Sequence, residues 1–262
     1  MENVLQIRAD HTVEFTKYRA HYLQFEDLHR ELGEDRIYAG VVRNSYPLII
    51  VADGVSEQTD PITRKIVTGL GGPAAEEVVR AAQEYLKREL SVESVEGILR
   101  CLRAMYDSIV QTLKDKNLDG SATLLVVFLW ESKDRDLFWC YAYVGNGFIN
   151  LLSPTREIET IVLPEKLLSP QQVEGTAAIW RGGIPVSPAV GCRLYEPNDL
   201  IYVASDGLTP VDSWLRKVHG MSLPYFILSN LREPERMKRV LSECPNYSDD
   251  AVLGIIWTEE RK

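Results

Sequence analysis

The chain is poor in the residues that build soft-metal and disulfide sites. It has only four histidines and four cysteines among 262 residues. The histidines, His11, His21, His29 and His219, form no metal-ligand spacing. His29 adjoins Arg30 and reads as a solvated side chain. The cysteines, Cys101, Cys140, Cys192 and Cys244, are dispersed with no paired spacing, so they read as separate buried thiols rather than disulfides or zinc ligands. No excess of basic residues is present. The net charge of -9 argues against nucleic acid or an anionic membrane as the main partner. An anionic substrate stays open, because a bound dication reverses the local field. No apolar run reaches the ~18 residues of a membrane span, and no basic-then-apolar leader opens the chain. A cytoplasmic location is the resulting expectation. With no linker-like stretch, repeat or low-complexity segment, one domain over residues 1–262 is expected.

The apolar fraction of 45% and charged fraction of 26% are ordinary for a globular protein. Residues 1–30 are polar with several aromatics and read as a leading strand or irregular segment. Segments 36–42 and 47–53 look like a hairpin, turned by Arg43-Asn44-Ser45-Tyr46. The stretch 56–72 carries Pro61, Gly69, Gly71 and Gly72 and reads as an exposed loop. Pro73 opens a helix whose Val78, Ala82, Leu86 and Leu90 form an apolar stripe. A second helix over about 93–114 repeats Val95, Ile98, Leu102, Met105, Ile109 and Leu113. Segments 121–131, 136–144 and 147–153 read as successive antiparallel strands. The stretch 154–188 is irregular, with strands following at 190–195 and 200–204. Short helices are expected around 211–218, 223–231 and 235–243, before a last strand at 251–257. This order lacks βαβ alternation. It fits two packed antiparallel sheets with helices outside.

Carboxylates stand at the ends of the strongest apolar runs. Leu48-Ile49-Ile50-Val51 leads to Asp53, and Leu200-Ile201-Tyr202-Val203 leads to Asp206. Asp249 opens the last apolar run. A carboxylate at a buried strand end is held rigidly and can converge with others. Such hard oxygen ligands, away from His and Cys, suit Mg²⁺ or Mn²⁺. Each motif alone has a plain reading: Asp-Gly is a common turn, Asp249-Asp250 can cap a strand, and Arg30 can form a surface ion pair.

Taken in order, the motifs are Arg30-Glu31-Leu32-Gly33-Glu34-Asp35, Ala52-Asp53-Gly54, the central Gly120-Ser121-Ala122-Thr123, Ser205-Asp206-Gly207 and Ser248-Asp249-Asp250. Together they resemble the type 2C metal-dependent serine/threonine protein phosphatases, the PPM family, in its single-domain bacterial form. The resemblance covers about 30–257 and implies an α+β fold, a four-layer αββα sandwich. It implies two divalent cations, Mn²⁺ or Mg²⁺, held by Asp35, Asp53, Asp206, Asp249 and the carbonyl of Gly54, with Asp53 bridging. Glu34 matches a second acidic position acting through water. Arg30 has the family spacing for gripping the phosphate, a task that suits a planar, always-charged fork. The implied reaction is hydrolysis of phosphoserine or phosphothreonine in a protein substrate, opposing a kinase. No phosphoenzyme is required, which agrees with the absence of a Cys-x5-Arg pattern.

Three departures stand out. No histidine follows Asp53-Gly54, where the chain reads Val55-Ser56-Glu57, so water is expected to protonate the leaving group. The usual glycine pair after that position is missing too. At Val144-Gly145-Asn146-Gly147 the family usually has an aspartate that helps hold a third, weaker cation; Asn146 keeps an oxygen without the charge. Asp119 is an additional candidate for such a site. Two alternatives therefore stand beside the phosphatase: a catalytically weak relative that binds phosphoproteins, and a hydrolase of small phosphate esters.

Overall fold

A computed structural model describes residues 11–14, 18–26, 28, 33–42, 46–55, 57–59, 66–68, 70–153, 158–162, 178–183, 188–245 and 251–260. The chain begins with β1 (His11–Glu14), β2 (Tyr18–Phe25), β3 (Arg36–Val42), β4 (Tyr46–Ala52), β5 (Glu57–Thr59) and β6 (Ile66–Thr68). Two long helices follow, α1 (Gly71–Glu89) and α2 (Val95–Asp115). The middle is β7 (Ser121–Ala122), β8 (Leu124–Glu131), β9 (Leu137–Val144), β10 (Phe148–Leu152), β11 (Ile158–Val162), β12 (Ile179–Trp180), β13 (Ala189–Leu194) and β14 (Leu200–Ala204). A 3₁₀ turn (Asp206–Leu208) leads into α3 (Thr209–His219), α4 (Leu223–Asn230) and α5 (Pro234–Ser242), and β15 (Leu253–Glu260) closes the chain.

Two antiparallel sheets dominate. The larger has the order β1-β2-β15-β14-β10-β11, the smaller β13-β9-β8-β4-β3. The period-2 alternation of side chains explains how they stack. In β8, Leu124, Val126, Phe128 and Trp130 face α1 and α2, where Val78, Leu86, Leu102 and Met105 meet them. Leu125, Val127 and Leu129 face the other way, into a core shared with Ile149, Ile201, Val203 and Ile256 of the larger sheet. The outer face of the larger sheet, including Phe25, Tyr202 and Ile255, is covered by Leu215, Phe226, Met237 and Leu241 of α3 to α5. Three apolar cores thus separate four layers, the α+β αββα sandwich expected from the sequence.

Local chemistry sets the helix ends. Ser94 caps α2, its hydroxyl accepting from the Gly97 N–H at 3.2 Å. Gly220, at φ 64°, ends α3 in the left-handed region open to glycine. Glu77 of α1, nearly buried, pairs with Arg80 on its own helix and with Lys116 just past α2 at 2.8 Å. Burial alone would raise its pKa, but hydrogen bonds from Arg80 and Lys116 outweigh that and hold it below the ordinary value. Among the described residues, no helix is long and apolar enough to cross a membrane.

Several boundaries differ from the sequence reading. The expected strand 121–131 breaks at Thr123: β7 pairs with β12, and only β8 joins the smaller sheet. Residues 1–30 supply two strands, and β2 pairs along its whole length with β15. Its inward Ala20 and Tyr22 and outward Leu23 and Phe25 serve two cores, a pattern masked by His21 and Gln24. The stretch 56–72 holds a β5–β6 hairpin. Helix α1 starts at Gly71, ahead of Pro73.

Candidate functional site

Strand ends of both sheets supply the candidate residues. In the β3–β4 pair Arg36 lies opposite Ala52, so Asp35 and Asp53 come level one step beyond. Asp35 is buried at 6% exposure, and Asp53 is half-buried. Arg36 shapes the approach to Asp35: its guanidinium donates to the carbonyls of Gly33 at 2.6 Å and Asp35 at 2.8 Å. The Asp53-Gly54 turn is clamped by the 121–123 segment. The Asp53 N–H donates to Thr123 Oγ1 at 3.0 Å, the Thr123 N–H donates back to the Asp53 carbonyl at 2.8 Å, and the Val55 N–H reaches the Ser121 carbonyl at 3.0 Å. This exchange is why the expected long strand breaks at Thr123.

Gly54 also meets the first turn of α1. A Cβ on Gly54 would stand 2.4 Å from the Gly71 carbonyl carbon, and one on Gly71 would stand 2.6 Å from that of Gly54. Both positions therefore require glycine for a backbone-to-backbone approach. The next residue, Gly72, lies over Glu34, whose Cα would be 3.7 Å from a Cβ there. Glu34 itself is half-buried.

The larger sheet contributes Asp206. Phe148 lies opposite Ala204 in the β10–β14 pair, so Asn146 and Asp206 come level two steps beyond. The Asn146 amide Nδ2 donates to Asp206 Oδ2 at 2.8 Å. Both residues are buried, with exposures of 3% and 6%. The Asn146 Oδ1 is buried without a hydrogen-bond partner. Gly145 (φ 96°) and Gly147 (φ 135°) flank Asn146 and allow the β9–β10 turn to cross from one sheet to the other. A Cβ on Gly147 would stand 2.8 Å from the Ala204 carbonyl. Behind Asp206, the Ser205 N–H donates to the Val252 carbonyl at 3.3 Å, and the Val252 N–H donates to Ser205 Oγ at 3.1 Å. The Leu28 N–H donates to the Ala251 carbonyl at 3.2 Å.

Arg30 and Asp249 lie outside the described residues. Their described neighbours Leu28 and Ala251 are the pair just noted, at the Ser205–Asp206 end of the larger sheet. Asp119 is 49% exposed in its side chain and forms an ion pair with Arg181 at 2.5 Å. Among the described residues, no group of three or more His, Cys, Asp or Glu is arranged to hold a metal ion. The structure thus brings Asp35 level with Asp53 and joins Asn146 to Asp206. Arg36 and Thr123 were not singled out by the sequence. Thr123 carried a signal as the last residue of the Gly-Ser-Ala-Thr stretch; Arg36 carried none, since its role depends on the fold of the Gly33–Asp35 loop.

The donor chemistry fits a hard dication. Every candidate ligand offers oxygen, two of the carboxylates are almost wholly removed from water, and Asn146 adds a buried oxygen without a partner. Carboxylate and amide oxygens of this kind are the ligands that Mg²⁺ or Mn²⁺ takes.

Scanned against protein-family models and curated proteins, the sequence matches none. Solved structures do match. A serine/threonine phosphatase of S. agalactiae superposes with a TM-score of 0.63 at 17% identity, covering 92% of this chain and 99% of that one. The catalytic domain of the serine/threonine phosphatase PstP, in complex with two manganese ions, superposes at 0.59 with 17% identity, covering 93% of this chain and 99% of its own. The PPM phosphatase MsPP of Mycobacterium smegmatis, in complex with cacodylate, gives 0.58 at 16% identity, covering 90% of this chain and 97% of that one. The four-layer sandwich is therefore the fold of the PPM serine/threonine phosphatases.

Proposed function

We propose that the protein is a divalent-cation-dependent phosphoprotein phosphatase acting on phosphoserine and phosphothreonine. The observation that carries this reading is the placement of acidic residues at strand ends of both sheets within this fold. Asp35 lies level with Asp53, and Asp206 is buried and held in place at the end of β14. The manganese ions bound by the similar PstP domain add support.

In this proposal Asp35, Asp53, Asp206, Asp249 and the carbonyl of Gly54 hold two Mn²⁺ or Mg²⁺ ions. Bound there, the cations would supply a water acidic enough to act as nucleophile near neutral pH. Thr123 fixes the backbone of Asp53, and Asn146 fixes one oxygen of Asp206. Arg30 orients the phosphate through paired N–H donors and balances its charge. With no histidine after Gly54, the leaving serine or threonine oxygen takes its proton from solvent. The proposed setting is the cytoplasm, with a phosphorylated protein as partner and a serine/threonine kinase in opposition.

A second reading is a phosphoprotein-binding module with a weakened metal site. It is favoured by the Asn146 amide, which puts a neutral donor on Asp206 Oδ2. The test compares hydrolysis of a phosphothreonine peptide with that of a small aryl phosphate, in Mn²⁺ and in EDTA. The phosphatase reading expects manganese-dependent peptide turnover that EDTA abolishes. Peptide binding without turnover would favour the module, and turnover of the aryl phosphate alone would favour a small-ester hydrolase.

A further inference from the structure

Cys140 and Cys192 are 52 residues apart, and their spacing carries no disulfide signal. The fold changes this. They lie directly opposite each other in the antiparallel β9–β13 pair, with Sγ atoms 3.0 Å apart. Residues opposite each other on antiparallel strands have Cα separations of roughly 4.5–5.5 Å, within the span that a disulfide bridges. The separate thiols expected from the sequence are thus a facing pair, held as free thiols in this structure.

The surroundings differentiate the two. Cys140 is wholly buried in the core beneath α1 and α2. Cys192 packs against that core but is only half-buried, because β13 is the edge strand of the smaller sheet. On the opposite face of β13, Tyr141 lies over Gly191, where a Cβ would be 2.3 Å from the ring. The strand is therefore gripped on both faces at this one point. Burial and the neighbouring sulfur raise the pKa of the Cys140 thiol. That favours Cys192 as the first thiol to react and Cys140 as the one that resolves it.

We propose that Cys140 and Cys192 form a reversible redox site that closes to an intramolecular disulfide under peroxide, stapling the edge strand β13 to β9. The Cys192 thiolate attacks one peroxide oxygen, the O–O bond breaks, and hydroxide leaves, giving a sulfenic acid. The Cys140 sulfur then attacks the Cys192 sulfur. The new S–S bond forms as the S–O bond breaks, and water leaves with the Cys140 proton. In sum, two thiols and one hydrogen peroxide give one disulfide and two waters. A small dithiol reverses the step by exchange.

The experiment treats the folded, full-length protein with hydrogen peroxide, blocks free thiols under denaturing conditions, and maps peptides by mass spectrometry. The expected result is a linked peptide pair containing Cys140 and Cys192, abolished by dithiothreitol, with Cys101 and Cys244 still alkylated. Closing this loop is also expected to raise the thermal midpoint by about 5–10 °C. That gain should be absent in Cys192→Ser. Recovery of Cys140 as a free thiol, with Cys192 free or carried on to sulfinic acid, would overturn the proposal. Peptide mapping of the unaltered chain requires no variant to fold, and neither readout depends on phosphatase activity.

Discussion

Replacing Asn146 with aspartate would set two carboxylates face to face in a nearly dry site. The native contact is an amide N–H donated to Asp206 Oδ2 at 2.8 Å, with both residues buried. Losing a hydrogen bond to a charged group costs about 1.5–3 kcal/mol. Two full charges about 4 Å apart add roughly 4 kcal/mol of repulsion at an effective dielectric near 20. The pair can escape most of this by keeping one proton, which restores a hydrogen bond between them. At pH 7 that proton costs about 4 kcal/mol for a carboxyl with an ordinary pKa near 4. Protonation is the cheaper route, so Asn146→Asp should lose about 4 kcal/mol in chelator at pH 7. For a chain of this size that lowers the thermal midpoint by roughly 8–16 °C. At pH 5 the proton costs about 1.4 kcal/mol, and most of the deficit should vanish. A dication offers the same relief without a proton, so Mn²⁺ should raise the midpoint of Asn146→Asp more than that of the native chain. The assay is thermal unfolding by circular dichroism across pH, in EDTA and in a manganese series. Equal midpoints in EDTA at pH 7, or a deficit that ignores both pH and Mn²⁺, would refute the reasoning.

Other consequences follow from single contacts. Thr123→Val leaves the Asp53 N–H without its acceptor and should cost about 1–3 kcal/mol in urea unfolding. It should also weaken manganese binding by calorimetry, while Thr123→Ser, which keeps the hydroxyl, should restore both. Glu77→Gln should cost about 1–2 kcal/mol at pH 7, modest because Arg80 and Lys116 keep much of their surface in water. The folded carboxyl of Glu77 lies below its ordinary 4.5, so its contribution is present above that pH and lost as pH falls through the lowered value. Native stability should therefore decline below pH 4.5 with a slope that Glu77→Gln lacks; matching acid profiles would contradict this. Arg30→Ala should lower kcat/KM on a phosphopeptide roughly 30- to 1000-fold, the effect of about 2–4 kcal/mol of lost transition-state stabilisation. Unchanged turnover would place Arg30 outside the reaction.

Much of the fold was legible because its central strands are continuous apolar runs. Strand β14 matches the expected 200–204 span, and the stripe of α2 is buried from Ile98 to Leu113. Strand β2 was not legible, since its two apolar faces are interrupted by His21 and Gln24. The Gln24 side-chain oxygen accepts the Ala39 N–H at 2.6 Å, a partner 15 residues away. The strand-end positions of Asp53 and Asp206 could be read from the runs before them. What Asn146 and Thr123 touch could not, because those contacts are set by the β10–β14 register and the break between β7 and β8. Cys140 and Cys192 show the same limit: pairing across strands leaves no trace in linear spacing.

Anomalous diffraction from crystals grown in Mn²⁺, recorded at the manganese edge, tests the metal-centre reading most directly. The account predicts two strong peaks, both within ligand distance of Asp53, with Asp35, Asp206, Asp249 and the Gly54 carbonyl completing the set. An absence of peaks beside Asp53 at saturating manganese, or manganese bound only elsewhere on the molecule, would contradict it.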